Sequence, residues 1–431
     1  MAEIWKNNFF YSILRPVVDI CTARSYRRLK ISGRGNIPVD GVVLFAPNHS
    51  NALMDALNVL LIHRGPVAFG CRADLFRNKT LAKVLNWLKI IPVPRIRDGV
   101  YALKNSNASA EAATGALLHG FPYCLYSEGT HRTMRSLLPI RKGLFRTALD
   151  VLSKTDKPVY VVPVGLEYSD YFRYRADLLI NIGSSINIGE FVAGHASATD
   201  TDLHRAFAEK LKNELSSLIT YLSDDENYEP KHRLLRFLAA PQKFSAPLKS
   251  RLAENQALAA SLDRAAETFP KEFRSLGIKA DELDRLRLRH KVSLYSFGKR
   301  HPFASALGKS LILLVGLPYF LFCAVFSLPV WLAAEIVASK QKDRAFMNSM
   351  RYGVRLALSL LMYIIWAAVL FSLLPWQFAL PAFVLGIPSV SVVYDYAELT
   401  RRTVSDFRYA SNPVLASRFA ELLAKYKVLT M

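Results

Sequence analysis

The sequence predicts an α/β domain, a helical subdomain and a C-terminal α-helical membrane region. In residues 31–195, short runs rich in β-branched and aromatic residues alternate with helical patterns, which is typical of a mixed sheet flanked by helices. Residues 196–300 are charged and helical in pattern. Residues 301–400 contain two long runs without a charged side chain, and residues 401–431 form a helical tail.

The α/β domain is predicted to contain six strands. Their sequences are RLKISG, GVVLFAP, PVAFGCR, PYCLYSE, VYVVPVGLEY and ADLLINIG. Helical patterns lie near 52–62, 79–89, 104–119 and 141–154. The helical subdomain begins with a helix whose apolar side chains share one face, namely Leu203, Phe207, Leu211, Leu215, Leu218 and Leu222. No chemical signature follows in this subdomain.

Residues 1–30 predict an N-terminal interfacial helix. Phe9 and Phe10 belong to an apolar cluster that precedes a basic run at 24–30. A helix of this kind binds the surface of an anionic membrane. The alternative is a helix packed on the α/β domain. Arg15 interrupts the apolar run, which argues against a secretory signal peptide.

The composition favours a membrane protein over a nucleic-acid-binding protein. Lys and Arg outnumber Asp and Glu by 56 to 35, a formal net charge of +21, while 51% of the residues are hydrophobic. Positive charge attracts nucleic acid or anionic lipid, and high hydrophobicity favours the lipid. Four scattered cysteines without metal-ligand spacing indicate a reducing compartment; they are Cys21, Cys71, Cys124 and Cys323.

The two uncharged runs, 310–334 and 356–394, are 25 and 39 residues long. A membrane-spanning helix needs about 20 apolar residues, so the second run, broken near Pro375, has room for two spans. The first run crosses once, or it forms a re-entrant hairpin because Pro318 and Pro329 interrupt it. Basic residues flank every run, and the positive-inside tendency therefore favours the hairpin. The cytoplasmic segments would then be 1–309, 339–355 and 395–431.

His49 and Asp55 follow the second predicted strand in the block NHSNALMD, at 48–55. An imidazole can take a proton near neutral pH, and a carboxylate on its other ring nitrogen holds the required tautomer. Within one helix this spacing would put the two side chains on different faces, so His49 must precede the helix. Ser50 as N-cap would achieve this. The alternative is an ordinary strand-to-helix turn capped by Ser50, without a catalytic role.

Three further blocks follow, which are IPVPR at 91–95, YSEGTHR at 126–132 and VVPVG at 161–165. The four blocks together resemble, in order, the motifs of the glycerolipid acyltransferase superfamily, which includes lysophosphatidate and glycerol-3-phosphate acyltransferases. The resemblance covers roughly residues 30–190. In the usual first motif four residues separate the His from the Asp, whereas five separate His49 from Asp55 here. In the usual third motif an arginine follows Glu-Gly-Thr, whereas here His131 stands at that position and Arg132 follows it. Similar spacings occur in a glycerol-3-phosphate acyltransferase branch with membrane segments after the catalytic domain.

The resemblance implies an α/β acyltransferase domain in a membrane-bound O-acyltransferase. It would transfer a fatty acyl chain from acyl-CoA or acyl carrier protein to glycerol-3-phosphate or lysophosphatidate in phosphatidate biosynthesis, without a metal or another cofactor. His49 would be the general base and Asp55 its orienting partner. The residues expected to bind substrate are Asn48, Asn51, Arg95, Glu128, Gly129, Thr130, His131 and Arg132.

Two other functions remain open at this point. One is an acyltransferase for another lysolipid, and the other is a catalytically inactive membrane scaffold. The chain has no G-x-S-x-G, P-loop or dinucleotide motif, which argues against a serine hydrolase or a nucleotide enzyme. Expected partners are membrane lipids, the acyl donor and the phosphorylated acceptor, with no nucleic acid. The catalytic domain should face the cytoplasm, where the acyl donors are found.

Overall fold

The computed structural model describes residues 4–6, 8–94, 106–241 and 246–430 of the 431-residue chain. The chain divides into two compact units. The first unit contains Met1–Ile219 and Lys342–Ser349, and the second contains Thr220–Gln341 and Met350–Met431. The helix that follows residue 199, which the sequence places in the helical subdomain, therefore belongs to the first unit.

An eight-stranded sheet is the centre of the first unit. Its order is β1-β7-β6-β2-β5-β3-β4, with β8 paired to β6. Among the described strands, only the β6–β7 and β6–β8 pairs are antiparallel, so the predicted mixed sheet is confirmed. The strands are β1 Leu29–Ser32, β2 Val42–Pro47, β3 Ala68–Arg72, β4 Ile90–Val93, β5 Tyr123–Cys124, β6 Val159–Tyr168, β7 Leu178–Ile182 and β8 Ile186–Asn187.

Helices flank this sheet, close to the positions that the sequence predicts. They are α1 Phe9–Arg24, α2 Leu53–Leu60, α3 Lys79–Trp87, α4 Ser106–Leu118, α5 Gly143–Leu152, α6 Ile188–Ala193 and α7 Asp200–Leu218. Two short strands, β4 and β8, were not predicted. The predicted strand PYCLYSE is shorter than expected, because the chain leaves the sheet after Cys124 and turns at Gly129, whose φ is +74°.

The apolar face of α7 packs on the long strand β6. Phe207, Leu211 and Leu215 are buried, as the helical period predicts. At Gly165 in β6 an added Cβ would lie 2.5 Å from the Cβ of Leu218, so only glycine lets the end of α7 approach this closely. The helix thus covers the half of β6 that leads to the candidate site described below.

Helix α1 packs on the first unit through a buried arginine. The guanidinium of Arg15 donates to the carbonyl oxygens of Leu60, His63 and Gly65, at 2.6, 2.8 and 2.9 Å. The opposite face of α1 exposes large apolar side chains. An interfacial role for this face stays a prediction; its exposed residues are Phe9, Phe10, Ile13 and Ile20.

The described part of the second unit is helical. Its helices are α8 Tyr228–Leu238, α9 Leu248–Thr268, α10 Pro270–Arg289, α11 Pro302–Ser339, α12 Met347–Leu373, α13 Trp376–Gly386, α14 Ser389–Ala410 and α15 Pro413–Thr430, with the first residues of α12 in the first unit. Among the described residues, α11 and α12 are long and apolar enough to cross a membrane. A third span results if α13 and α14, which meet at a 52° bend, are one broken crossing.

Helix α11 is continuous over its 38 residues, so no loop separates the two limbs of the expected hairpin. Its contacts nevertheless require a bend. Near the start of α11, Lys309 forms an ion pair with Asp406, and the Leu313 carbonyl accepts a hydrogen bond from Tyr396. Further along, the Phe326 ring contacts Gly386, and Glu335 accepts a hydrogen bond from Tyr394. Following α11 from its first residue to its last, the residue numbers of its partners fall from 406 to 386 and then rise to 394. A straight helix would keep one direction, so we infer a bend in α11, in which Pro318 and Pro329 each lack a backbone donor.

Candidate active site

The carboxylate of Asp55 organises the turn between β2 and α2. Its Oδ2 accepts from the backbone N–H groups of Ser50 and Asn51, at 2.8 and 2.7 Å, and lies 2.8 Å from Nδ1 of His49. Asp55 has no exposed surface. The carboxylate therefore fixes both the turn and the imidazole from one oxygen.

The predicted helix cap at Ser50 is wrong. Helix α2 begins at Leu53, and Ala52 occupies the cap position without a side-chain hydrogen bond. Ala52 has φ 46° and ψ −125°, a conformation that is costly for a residue with a Cβ. His49 nevertheless precedes the helix and reaches Asp55 in its first turn, as the spacing requires. The strained turn accommodates the extra residue between the two side chains.

A second hydrogen bond holds the other oxygen of Asp55. The hydroxyl of Tyr168, at the end of β6, donates to Oδ1 at 2.5 Å. Asn58 donates to the Tyr168 hydroxyl at 2.7 Å and to that of Tyr26 at 2.8 Å. Burial, followed by the negative charge of Asp55, raises the pKa of Tyr168 well above its ordinary value. Tyr168 is therefore a neutral donor at physiological pH.

The ring of His49 is enclosed by aromatic groups. It stacks on Tyr126 with ring centroids 3.9 Å apart, and the ring of His131 stands against it at 5.5 Å. With Asp55 accepting at Nδ1, the proton of neutral His49 lies on Nδ1 and the lone pair on Nε2. Nε2 is then the atom that can accept a proton from a substrate.

Glu128 is buried and bonded to the backbone on both sides. Its Oε1 accepts from the N–H of His49 at 2.9 Å, and its Oε2 accepts from the N–H of Leu138 at 2.7 Å. Burial raises the pKa of Glu128, against the opposing effect of these two donors. The carboxylate positions the main chain of His49; direct binding of substrate by Glu128 stays a prediction.

Asn48 and Asn51 also fasten the turn. Asn48 exchanges hydrogen bonds with Leu166 of β6, accepting from its N–H at 2.7 Å and donating to its carbonyl at 3.4 Å. Asn51 donates to the carbonyl of Tyr171 at 3.1 Å. Both side chains are buried. These bonds account for two amides in the motif, and their expected contact with substrate stays a prediction.

The end of the third motif lies beside the imidazole. The N–H of Arg132 donates to the carbonyl of His49 at 3.0 Å, and its side chain donates to Ser136 at 2.7 Å. Gly129 and Thr130 are exposed at the turn. Arg95 lies outside the described residues. The structure thus brings the first and third motifs together around His49.

The structure adds a distant segment that the sequence did not predict. Residues 342–349 belong to the first unit, and Asp343 lies 2.8 Å from Nε2 of His131. The ring of Phe346 stands against His131 at 5.2 Å. No sequence signal identified these residues, because they lie in a basic stretch between two apolar runs.

No group of three or more His, Cys, Asp or Glu side chains in the described ranges could hold a metal ion. The described residues here are an imidazole held by an anchored carboxylate, with the ring of a second histidine beside it.

Residues 28–167 match the acyltransferase protein family, and this range holds all four sequence motifs. Residues 28–167 are an acyltransferase domain. The resemblance to the glycerolipid acyltransferase superfamily is therefore confirmed for this range, which is about a third of the chain, while the glycerol-3-phosphate acyltransferase branch stays a prediction. No curated protein matches the chain.

Among solved structures, the chain is similar to the crystal structure of a 1-acyl-sn-glycerophosphate (LPA) acyltransferase, PlsC, from Thermotoga maritima. The identity is 15%, the similarity covers 48% of this chain and 79% of that one, and the TM-score is 0.34.

Proposed function

We propose that the chain is a membrane-bound O-acyltransferase with a phosphorylated glycerol acceptor, glycerol-3-phosphate or lysophosphatidate. The acyl donor would be acyl-CoA or acyl carrier protein, and the product would belong to phosphatidate biosynthesis. The long apolar helices and the acyltransferase domain support this proposal. The acyltransferase domain would face the cytoplasm, where both donors are found.

In the proposed reaction, Nε2 of His49 takes the proton of the acceptor hydroxyl as its oxygen attacks the thioester carbonyl. A C–O bond forms, the tetrahedral intermediate collapses, and the C–S bond breaks. The proton on Nε2 then passes to the departing thiolate, which leaves as a thiol. Asp55 stabilises the imidazolium that exists between the two proton transfers.

One observation carries the proposal above the inactive-scaffold alternative. Four donors converge on Asp55, which are the His49 ring, two backbone N–H groups and the Tyr168 hydroxyl. Burying a carboxylate this completely is costly unless every contact is made. A scaffold has no need for a histidine tautomer fixed in this way, whereas a general base requires it.

The test is an acyl-transfer assay with the purified full-length protein and a labelled acyl donor. Glycerol-3-phosphate, lysophosphatidate and neutral lysolipids are offered in parallel, and each donor is tried with each acceptor. Labelled product with a phosphorylated acceptor, absent with His49→Ala, supports the proposal. Product with a neutral lysolipid alone would support the other-lysolipid function, and no product with any pair would support the scaffold.

A further inference from the structure

Residues 342–349, called the inter-helix segment here, join α11 to α12 along the chain and belong to the first unit. Two polar or aromatic contacts anchor it there, besides those of His131. The guanidinium of Arg344 lies 4.1 Å from the ring centre of Phe172. Asn348 donates to the carbonyl of Tyr171 at 2.8 Å.

The Tyr171 carbonyl connects the inter-helix segment to the catalytic turn. The same oxygen accepts from Asn348 of the segment and from Asn51, which follows His49 by two residues. Both asparagines are buried. Two donors on one carbonyl oxygen fix the segment and the turn at a defined separation. The segment is thus part of the structure around His49.

The inter-helix segment also supplies a second His–Asp pair. In the first pair Asp55 holds Nδ1 of His49; in the second, Asp343 holds Nε2 of His131, also at 2.8 Å. The two imidazole rings stand edge to face, 5.5 Å apart. Asp55 is fully buried whereas the Asp343 side chain is 53% exposed, so the second pair is open to a ligand from solvent.

We propose that Asp343 positions His131 to bind the phosphate of the acceptor, so that the inter-helix segment forms part of the acceptor site. The inference rests on the proposed function. With Nε2 held by Asp343, an imidazolium at position 131 can donate from Nδ1 to a phosphate oxygen. His131 stands where the resembled motif has an arginine, and Asp343 orients a single ring donor in place of the arginine's fork.

The local charge fits an anionic ligand. Lys342 and Arg344, on either side of Asp343, are exposed cations, and the only acidic side chain of the inter-helix segment is Asp343 itself. The hydrogen bond from His131 lowers the pKa of Asp343, so the carboxylate stays ionised at neutral pH. A negatively charged acceptor would therefore meet net positive charge at this segment.

The test measures steady-state kinetics of Asp343→Asn in the full-length protein, with Asp343→Glu as the conservative variant. Asp156→Asn is the matched control, since Asp156 is an exposed aspartate of the same unit. We expect Asp343→Asn to raise the acceptor KM roughly 5–20-fold, with kcat and the donor KM changed less than about twofold. Asp343→Glu should recover most of the affinity, and Asp156→Asn should equal wild type.

A double variant separates positioning from a merely structural role. If Asp343 acts through His131, the variant His131→Ala with Asp343→Asn has the same acceptor KM as His131→Ala alone. Additive effects, or equal losses in kcat and both KM values, would overturn the inference. Wild-type kinetics in Asp343→Asn would also overturn it while leaving the proposed function intact. A wild-type protein inactive on every phosphorylated acceptor would overturn both.

Discussion

Tyr168 donates a 2.5 Å hydrogen bond to Oδ1 of Asp55, the oxygen opposite the one that holds His49. The His49 imidazole, the Asp55 carboxylate and this hydroxyl therefore form one chain of hydrogen bonds from the end of β2 to the end of β6. The Tyr168 hydroxyl is supported in turn by Asn58. Such a chain holds the carboxylate still while charge develops on the imidazole.

Removing the Tyr168 hydroxyl should weaken the chain without breaking the turn. Tyr168→Phe leaves Oδ2 of Asp55 with its three donors, so we expect a folded enzyme whose kcat falls about 3–30-fold, the effect of one hydrogen bond to a charged group. Both KM values should change little. Tyr160→Phe is the control, because Tyr160 belongs to the same strand and its side chain is only half-buried. An equal loss in Tyr160→Phe would show that the effect does not come from the bond to Asp55.

His49→Ala tests the base directly. We expect kcat to fall roughly 10²–10⁴-fold, the usual contribution of a positioned proton acceptor. The fold should persist, because the side chain is bonded to Asp55 only through Nδ1 while the turn is held by backbone groups. His119→Ala, a histidine stacked on Trp5, serves as the control. Turnover near wild type in folded His49→Ala protein would exclude the mechanism.

His49 and Asp55 could be found from the sequence because the two residue types, their order and the preceding strand are local features. Tyr168 could not, since its hydroxyl reaches Asp55 from a position 113 residues away and the run VYVVPVGLEY carries only a strand pattern. Asp343 could not be predicted for the same reason, because its partner His131 is 212 residues away along the chain. The strand and helix periods predicted most elements, but not the strained φ of Ala52, because alanine has no sequence preference for it. The motif resemblance predicts that Glu128 binds substrate. Its hydrogen bonds to two backbone N–H groups depend on the tertiary fold and could not be predicted in this way.

Glu128→Gln should disturb the backbone of His49. An amide has one acceptor oxygen, so either the N–H of His49 or that of Leu138 would face an NH₂ group. We expect kcat to fall about tenfold or more, with a smaller change in acceptor KM. A large rise in acceptor KM at constant kcat would instead support direct binding of substrate by Glu128.

The same variant carries a pH signature in stability. Because burial raises the pKa of Glu128, the folded protein retains a proton that the unfolded chain has released between the ordinary and the raised value. The free energy of unfolding contributed by this group therefore falls as pH rises through that window. Wild type should exceed Glu128→Gln in stability by more at pH 4 than at pH 7, measured by thermal unfolding in detergent. A difference that grows with pH would contradict the raised pKa.

Arg95 is expected to contact the acceptor phosphate from the second motif. Arg95→Ala should chiefly raise the acceptor KM, because a phosphate contact present in both ground and transition states is uniform binding. The donor KM should change less. Arg77→Ala is a suitable control, because Arg77 is an exposed arginine earlier in the same domain. An unchanged acceptor KM in Arg95→Ala would shift the phosphate site toward His131 and Arg132.

The bend of α11 bears on how the chain crosses the membrane. Polar contacts lie near both ends of this helix, with Lys309 bonded to Asp406 and Glu335 to Tyr394. Asp406 and Tyr394 both belong to α14. Phe326, in contrast, contacts Gly386 at the end of α13. Ion pairs and ionised groups avoid the bilayer centre. Both ends of α11 are thus expected on one side, with the bend near Phe326 inside the bilayer.

Single cysteines, in a background without the four native ones, test this topology. Lys340→Cys and Ser411→Cys, both exposed positions, should be protected from an impermeant thiol reagent in intact cells and labelled after permeabilisation. Gln377→Cys, between α12 and the rest of α13, should be labelled in intact cells because α12 crosses once and α13–α14 returns. Ser349 is unsuitable, since it is 1% exposed.

If Lys340→Cys is labelled from outside, α11 crosses as a single span and the most basic loop is external, against the positive-inside tendency. With the acyltransferase domain in the cytoplasm, protection of Lys340→Cys together with labelling of Gln377→Cys would require the re-entrant path, since a single span at α11 would then reverse both results.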